Sequence, residues 1–141
     1  MKIYFACSIT GGRQDEGMYQ ILVQFLGQAG HEVPTAHIAD TGVEEMDQNE
    51  DPGDIFHRDV NWIKESDLLV AEVSTPSHGV GYEIGYALSL DKPVLCLYQR
   101  GRKISKMISG NPHPLLTVQA YQNQQGAVKA LKRFLSQLSE G

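Results

Sequence analysis

Two acidic residues, Asp59 and Glu83, are candidates for chemistry because no basic residue stands near either one at helical spacing. Side chains three and four residues apart on a helix are neighbours. At those spacings Asp59 has Ile, Phe, Trp and Ile, whereas Glu83 has Gly, Val, Tyr and Ala. Apolar surroundings raise the pKa of a carboxylate, which makes it a candidate acid, base or nucleophile. Two carboxylates flanking one bond are the groups that cleave glycosidic bonds.

Each of these acids also has an ordinary structural interpretation. Asp59 could be a solvated edge residue or the partner of a distant arginine, since structural ion pairs perturb carboxylates too. Glu83 could be an acid that the helix dipole favours at a helix start. Glu72 is a rival acid, but its place inside a predicted strand favours a structural role. On pattern alone, Tyr4 is a core residue of the first predicted strand.

The glycines around Glu83 do not form a dinucleotide-binding loop. Residues 79–85 read GVGYEIG, so three residues separate Gly81 from Gly85, whereas the dinucleotide fingerprint is G-x-G-x-x-G. A carboxylate at the start of a helix would also repel a phosphate from the backbone N–H groups that attract anions. The stretch therefore serves some purpose other than cradling a phosphate.

Two further stretches are polar enough to bind a ligand. SITGGR at 8–13 offers hydroxyls, backbone N–H groups and Arg13, as an anion nest would, but it lacks the lysine and spacing of a P-loop. RGRKISK at 100–106 holds four of the twelve basic residues and is typical of a solvated loop, in which Ser105 matters only if the loop reaches a phosphate. The five histidines show no metal-ligand spacing, so we expect neither a metal nor a cofactor.

Short apolar runs alternate with amphipathic stretches along the chain, which is typical of a parallel sheet covered by helices on both faces. We predict an α/β, flavodoxin/Rossmann-like three-layer sandwich with a five-stranded parallel sheet in the order 2-1-3-4-5. The second strand contains Pro34 and should lie at an edge. The predicted strands are 2–8, 31–37, 67–73, 93–98 and 115–121, and the predicted helices are about 14–29, 54–66, 80–90 and 124–138.

This fold should bring the two carboxylates together. Ligands bind such sheets beyond the carboxyl ends of the strands, at the switch point between the first and third strands. Asp59 lies near the start of the helix that leaves the second strand, and Glu83 opens the helix that leaves the third. We therefore expect both side chains in one crevice, with the two glycine-rich turns meeting beside them.

The composition fits one ordinary domain spanning 1–141. With 141 residues and 41% apolar content, the chain can bury a normal core. A net charge of −5 argues against nucleic-acid or anionic-membrane partners. Cys7 and Cys96 are typical of reduced, buried thiols in a cytoplasmic protein. The few residues between Lys2 and Cys7 are too short for the apolar region of a signal peptide.

Taken together in chain order, six stretches resemble the nucleoside 2-deoxyribosyltransferase superfamily, and within it the 2'-deoxynucleoside 5'-phosphate N-hydrolases. The most specific of them is S-x-G-V-G-Y-E-x-G. The resemblance covers nearly the whole chain and is carried by IYFACSITGGR, HIAD, IFHRDVNWI, DLLVAEVSTPSHGVGYEIGYAL, KPVLCLY and ISKMISG.

The resemblance implies roles for single residues. Glu83 would be the nucleophile aimed at the anomeric carbon, Asp59 would assist the leaving base, and Tyr4 would place a hydroxyl near the nucleophile. The glycines would let the substrate approach the backbone closely, and His37 would border the base or sugar. The turn at 9–13 and Ser77 would hold the 5'-phosphate, with Ser105 supplied by the second subunit of a homodimer. The implied substrate-binding set is Ser8, Ile9, Thr10, Gly11, Gly12, Arg13, His37, Ser77, Gly79, Gly81, Ser105 and Met107.

The implied reaction is hydrolysis of the N-glycosidic bond of a deoxynucleoside 5'-monophosphate through a covalent deoxyribosyl–glutamate. The chain departs from the family's pattern at two positions, with Cys7 where glycine is common and Thr10 where the hydrolases carry arginine. Two alternatives stay open. One is a transferase that exchanges bases on unphosphorylated deoxynucleosides, and the other is a non-catalytic nucleotide-binding module, which the set of Tyr4, Asp59 and Glu83 disfavours.

Overall fold

A computed structural model describes residues 1–9, 15–39 and 49–140. The predicted alternation of strands and helices is confirmed, with most boundaries within two residues of the predicted ones. A 3₁₀ helix at Ala36–Ala39 was not predicted. The elements are β1 (Ile3–Ala6), α1 (Glu16–Gln28), the 3₁₀ helix, α2 (Pro52–Glu65), β2 (Leu68–Glu72), α3 (His78–Ser89), β3 (Val94–Gln99), α4 (Lys106–Ser109), β4 (Leu116–Tyr121) and α5 (Gln124–Glu140).

The described residues form four parallel strands in the order β1-β2-β3-β4, and the prediction of a fifth strand at 31–37 is wrong. That segment does run beside β1, but it keeps only one parallel bridge, between Lys2 and Glu32. Pro34 has no N–H to continue a ladder. The Thr35 hydroxyl takes over instead, because it accepts from Phe5 N at 2.9 Å and donates to Phe5 O at 2.7 Å.

Helices cover both faces of the sheet, so that alternate strand residues enter two separate cores. On one face Phe5 and Val70 pack with α1 and α5. On the other face Tyr4 and Leu69 pack with α2 and α3. Each fully buried Leu or Ile side chain in these cores contributes about 1.5–3 kcal/mol to the free energy of folding. The second face holds the candidate site, because α2 and α3 carry Asp59 and Glu83.

Local capping fixes where α2 and α3 begin. The Asp51 side chain accepts from Asp54 N at 3.2 Å, and Pro52 occupies the first turn of α2. The Ser77 hydroxyl accepts from Val80 N at 3.3 Å and caps α3. No helix in the described ranges has both the length and the apolar character needed to cross a bilayer.

Candidate active site

A cavity of about 580 Å³ lies between α2 and α3, and both candidate carboxylates line it. The structure therefore brings Asp59 and Glu83 into one crevice, as expected. The cavity wall is mostly apolar, and Gly79 leaves part of it without a side chain. The other residues lining the cavity are Glu50, Pro52, Ile55, Phe56, Val60, Ile63 and Tyr82.

Glu83 is half-buried and accepts a hydrogen bond from the hydroxyl of Tyr4, which lies on β1 and is fully buried. The pKa of Glu83 is raised to about 7, mainly by burial and also by the charge of Asp59, although the Tyr4 hydrogen bond and the charge of Arg58 oppose the rise. Burial and the charge of Glu83 also raise the pKa of Tyr4, so its phenol stays a hydrogen-bond donor. Glu83 is thus a carboxylate that ionises near neutral pH, next to a fixed donor.

Asp59 has a cationic neighbour, contrary to the expectation from helical spacing. Arg58 Nε donates to Asp59 Oδ1 at 2.9 Å. Residues next to each other on a helix point in different directions, so the rule of three- and four-residue spacing does not count this pair. The arginine side chain is long enough to reach the carboxylate of its neighbour Asp59. Arg58 is a site residue that sequence reasoning missed, although the dipeptide Arg58–Asp59 was visible.

His37 is connected to the site through Trp62 and does not line the cavity. Its ring, on the 3₁₀ helix, makes an edge-to-face contact with Trp62 at 5.7 Å between ring centroids. Trp62 in turn lies under Arg58, whose guanidinium carbon is 5.0 Å from the Trp62 ring centroid. His37 is not among the residues that line the cavity of Asp59 and Glu83. The predicted contact of His37 with base or sugar stays a prediction.

The residues expected to hold a phosphate lie partly in a neighbouring cavity of about 390 Å³. Ser77 and Ser105 both line it, and each caps a helix, since Ser105 Oγ accepts from Met107 N at 3.1 Å at the start of α4. Gly81 and Met107 line it too. Tyr82 lines both cavities and is 55% exposed. The structure thus places Ser105 beside the crevice of Glu83 but not in it.

The first predicted turn is described only in part. Ser8, two residues after β1, is fully buried, and Ile9 packs against the sheet face that α1 and α5 cover. Thr10, Gly11, Gly12 and Arg13 lie outside the described residues. The anion nest at 8–13 stays a prediction.

The family model described as "Nucleoside 2-deoxyribosyltransferase" matches residues 3–131. The chain belongs to this family. A relative from Methanosarcina barkeri, provisionally named 2'-deoxynucleoside 5'-phosphate N-hydrolase 1, is 41% identical over 134 residues, covering 95% of this chain and 84% of the relative. The 5-hydroxymethyl-dUMP N-hydrolase of Danio rerio is 43% identical over 129 residues, covering 89% of this chain and 90% of the relative.

A solved structure extends the comparison to the fold. The Clostridium botulinum CMP N-glycosidase matches with a TM-score of 0.74 at 22% identity, covering 95% of this chain and 99% of the other. At that identity the match shows a shared α/β fold. Among the described residues of this deoxyribosyltransferase-family chain, no group of three His, Cys, Asp or Glu side chains could hold a metal ion.

The rival acid, Glu72, is fully buried at the end of β2 and surrounded by donors. It accepts from Ser74 N at 2.7 Å, from Ser74 Oγ at 2.9 Å and from the hydroxyl of Tyr121. Burial raises its pKa, and these hydrogen bonds oppose the rise. Because protein groups occupy this carboxylate, its surroundings favour a structural role.

Arg102 corrects the expectation that residues 100–106 form an ordinary solvated loop. Its Nη2 donates to Asp15 Oδ1 at 2.9 Å. The hydroxyl of Thr75 donates to the other oxygen of Asp15 at 2.8 Å, and Asp15 is buried. This network joins the start of α1 to the chain that follows β2 and β3. No local pattern indicated it, since the partners are far apart in sequence.

Proposed function

We propose that this chain hydrolyses the N-glycosidic bond of 2'-deoxynucleoside 5'-monophosphates, releasing the free base and deoxyribose 5-phosphate. The observation that carries the proposal is the cavity in which Asp59 and Glu83 lie together, with Tyr4 hydrogen-bonded to Glu83. The relatives that are 41% and 43% identical and named as N-hydrolases of deoxynucleotides support the substrate class.

In the first half of the proposed reaction, the Glu83 carboxylate attacks C1' while the C1'–N bond breaks through an oxocarbenium-like transition state. The base leaves with the bonding electron pair and takes a proton from Asp59. The product at this stage is a deoxyribosyl ester of Glu83. The absence of a 2'-hydroxyl makes the oxocarbenium easier to reach, which suits deoxy substrates.

In the second half, the Asp59 carboxylate takes a proton from water, and the water oxygen attacks C1'. The C1'–O bond to Glu83 breaks, and Glu83 returns to its ionised form. The Tyr4 hydroxyl donates to the Glu83 side chain throughout the reaction and so orients the carboxylate for attack. This hydrogen bond becomes stronger when the ester is released and Glu83 is charged again.

The test compares substrates and acceptors in one assay. Purified protein is incubated with each deoxynucleoside and each monophosphate, with and without a free acceptor base, and products are separated chromatographically. We expect free base from monophosphates alone, without dependence on the acceptor. Base exchange on unphosphorylated deoxynucleosides would instead identify a transferase. No turnover with any substrate, together with tight nucleotide binding, would identify a binding module.

The proposal includes a homodimer in which Ser105 reaches the phosphate in the partner's site. It is motivated by the place of Ser105 beside the Glu83 crevice, and by its neighbour Met107, which is 83% exposed. Glu83→Gln disables the host site, and Ser105→Glu adds a charge that repels phosphate. In a two-fold dimer containing one subunit of each variant, one site carries both changes and the other carries neither.

Mixing the two inactive variants should therefore restore activity. Random exchange makes half of the dimers mixed, so we expect roughly a quarter of wild-type activity per subunit. Each variant alone is the control. A mixture that stays inactive after verified subunit exchange would exclude a shared site while leaving the proposed reaction intact.

A further inference from the structure

Arg58 connects several groups around Asp59. Its Nε donates to Asp59 Oδ1 at 2.9 Å, and its Nη1 lies 3.3 Å from Glu50 Oε2. The guanidinium carbon lies 5.0 Å from the centroid of the Trp62 ring, a distance at which a cation is attracted to the ring. The Arg58 side chain is 24% exposed. Partners from two parts of the chain thus hold this guanidinium beside one of the two carboxylates.

The helix geometry explains why Arg58 stays in this orientation. Arg58 and Trp62 are four residues apart and therefore share one face of α2. The guanidinium lies over the face of the Trp62 indole, and the His37 ring packs edge-to-face against the same indole. Exposed ion pairs contribute little because both side chains must be ordered. Here the ring contact already orders the arginine, so its pairing with Asp59 is directional.

A cation in this site has an electrostatic effect on both carboxyls. Two carboxylates in one cavity oppose each other's ionisation. The charge of Asp59 raises the pKa of Glu83, and the charge of Arg58 lowers it. Among the described residues, the titratable and charged groups around this centre are Tyr4 from β1, Glu50 before α2, Asp59 and Glu83, with His37 behind Trp62.

We propose that Arg58 is a positioning residue, which orients Asp59 and supplies a positive charge that stabilises the negative charge as it passes between Glu83 and Asp59. The inference rests on the proposed function for its chemical meaning. When the base leaves, Asp59 gives up a proton and becomes negative while Glu83 becomes a neutral ester. Arg58 already donates to Asp59, so it stabilises the charge that develops there. When water attacks, Asp59 takes up a proton and the charge returns to Glu83.

Three variants separate charge from geometry. Arg58→Gln removes the charge, whereas Arg58→Lys keeps it but cannot reproduce the Nε hydrogen bond together with the stacking on Trp62. Lys64→Gln is the matched control, because it removes one positive charge from an exposed position on the same helix. For each protein, kcat and kcat/KM for base release are measured from pH 5 to 9.

We expect Arg58→Gln to move the acidic limb of kcat/KM upward by about half to one pH unit, since an opposite charge nearby shifts a carboxylate by about that much or more. Its kcat should fall roughly 10- to 100-fold. Arg58→Lys should keep the wild-type limb and lose kcat alone, and Lys64→Gln should match the wild type. A rate loss in Arg58→Gln that is equal at every pH would overturn the proposal.

A second measurement works without turnover. The side-chain carboxyl of Glu83 is titrated by carbon NMR in the substrate-free protein, with Glu83→Gln identifying its signal. The midpoint should rise in Arg58→Gln and stay unchanged in Lys64→Gln. An unchanged midpoint in Arg58→Gln would overturn the role of Arg58 whatever the substrate is. A shifted midpoint without base release from any nucleotide would instead count against the proposed function.

Discussion

The fold contains two glutamates that accept hydrogen bonds from buried tyrosines, and their surroundings differ. Glu72 accepts from Tyr121 and from two groups of Ser74, and it is fully buried. Glu83 accepts from Tyr4 and lines a cavity of about 580 Å³. Burial raises the pKa of both carboxyls. The tyrosine partner is therefore common to both pairs and does not distinguish them.

The difference lies in the remaining donors and in access. At Glu72 three protein donors take the place of water, so the carboxylate has no open side for a substrate. Glu83 faces the cavity where Glu72 has its other donors, and the pKa of Glu83 rises to about 7. A half-buried carboxylate that faces a cavity with one fixed donor is the better candidate for chemistry. The predictions below test whether this contrast separates a catalytic from a structural role.

The largest effect is expected from Glu83→Gln in the catalytic assay. The amide cannot attack C1', so base release should fall by about 10³-fold or more, which is typical for loss of a nucleophile. Binding of a nucleotide, measured by calorimetry, should change little because the shape is kept. Retention of a tenth of wild-type turnover would remove Glu83 from the nucleophile's role.

Tyr4→Phe should have the next largest effect. Removal of a hydrogen bond to a charged group costs about 1.5–3 kcal/mol, so kcat should fall roughly 10- to 100-fold. The Tyr4 hydrogen bond lowers the pKa of Glu83, so the acidic limb of the pH–rate profile should also move upward. Tyr121→Phe is the matched control at Glu72, and it should leave both measurements at their wild-type values. Equal activity losses in the two variants would contradict the contrast.

Glu72→Gln should weaken the fold and spare the reaction. The Ser74 and Tyr121 hydroxyls can turn to accept from the amide nitrogen, but hydrogen bonds to a charged carboxylate are then replaced by weaker neutral ones. The expected cost is about 1–3 kcal/mol in the free energy of unfolding, measured by urea denaturation. Activity should stay within about threefold of wild type. A loss of turnover by orders of magnitude in a folded Glu72→Gln protein would reverse the assignment of the two glutamates.

The smallest effect is a pH-dependent gain in stability from Glu83→Gln. The folded pKa of Glu83, about 7, lies above its ordinary value of 4.5, so ionisation of Glu83 destabilises the fold. The penalty is absent below about pH 4.5, grows as the pH rises and is complete above about pH 7. After allowance for solvent screening, the variant should gain about 1–2 kcal/mol at pH 8 and almost nothing at pH 4. Identical unfolding curves at pH 8 would contradict the raised pKa.

Local patterns predicted most of the fold and the shared crevice, because apolar alternation and the order of the elements determine which helices follow which strands. They failed where a side chain took over a backbone function, as Thr35 does beside β1. They also failed where ion pairs ignore helical spacing or span the sequence. Arg58 pairs with its immediate neighbour, and Arg102 pairs with Asp15 across 87 positions. Such pairs depend on packed geometry, which no window of sequence contains.

The hydroxyl of Thr35 also has a consequence for self-association. An exposed strand edge presents unpaired backbone groups that another chain can use as a template for aggregation. At the outer edge of β1, Glu32 O accepts from Ile3 N at 2.8 Å, and Thr35 occupies both backbone groups of Phe5. A short segment without regular strand structure thus blocks strand addition at this edge. The chain gains the protection of a fifth strand without building one.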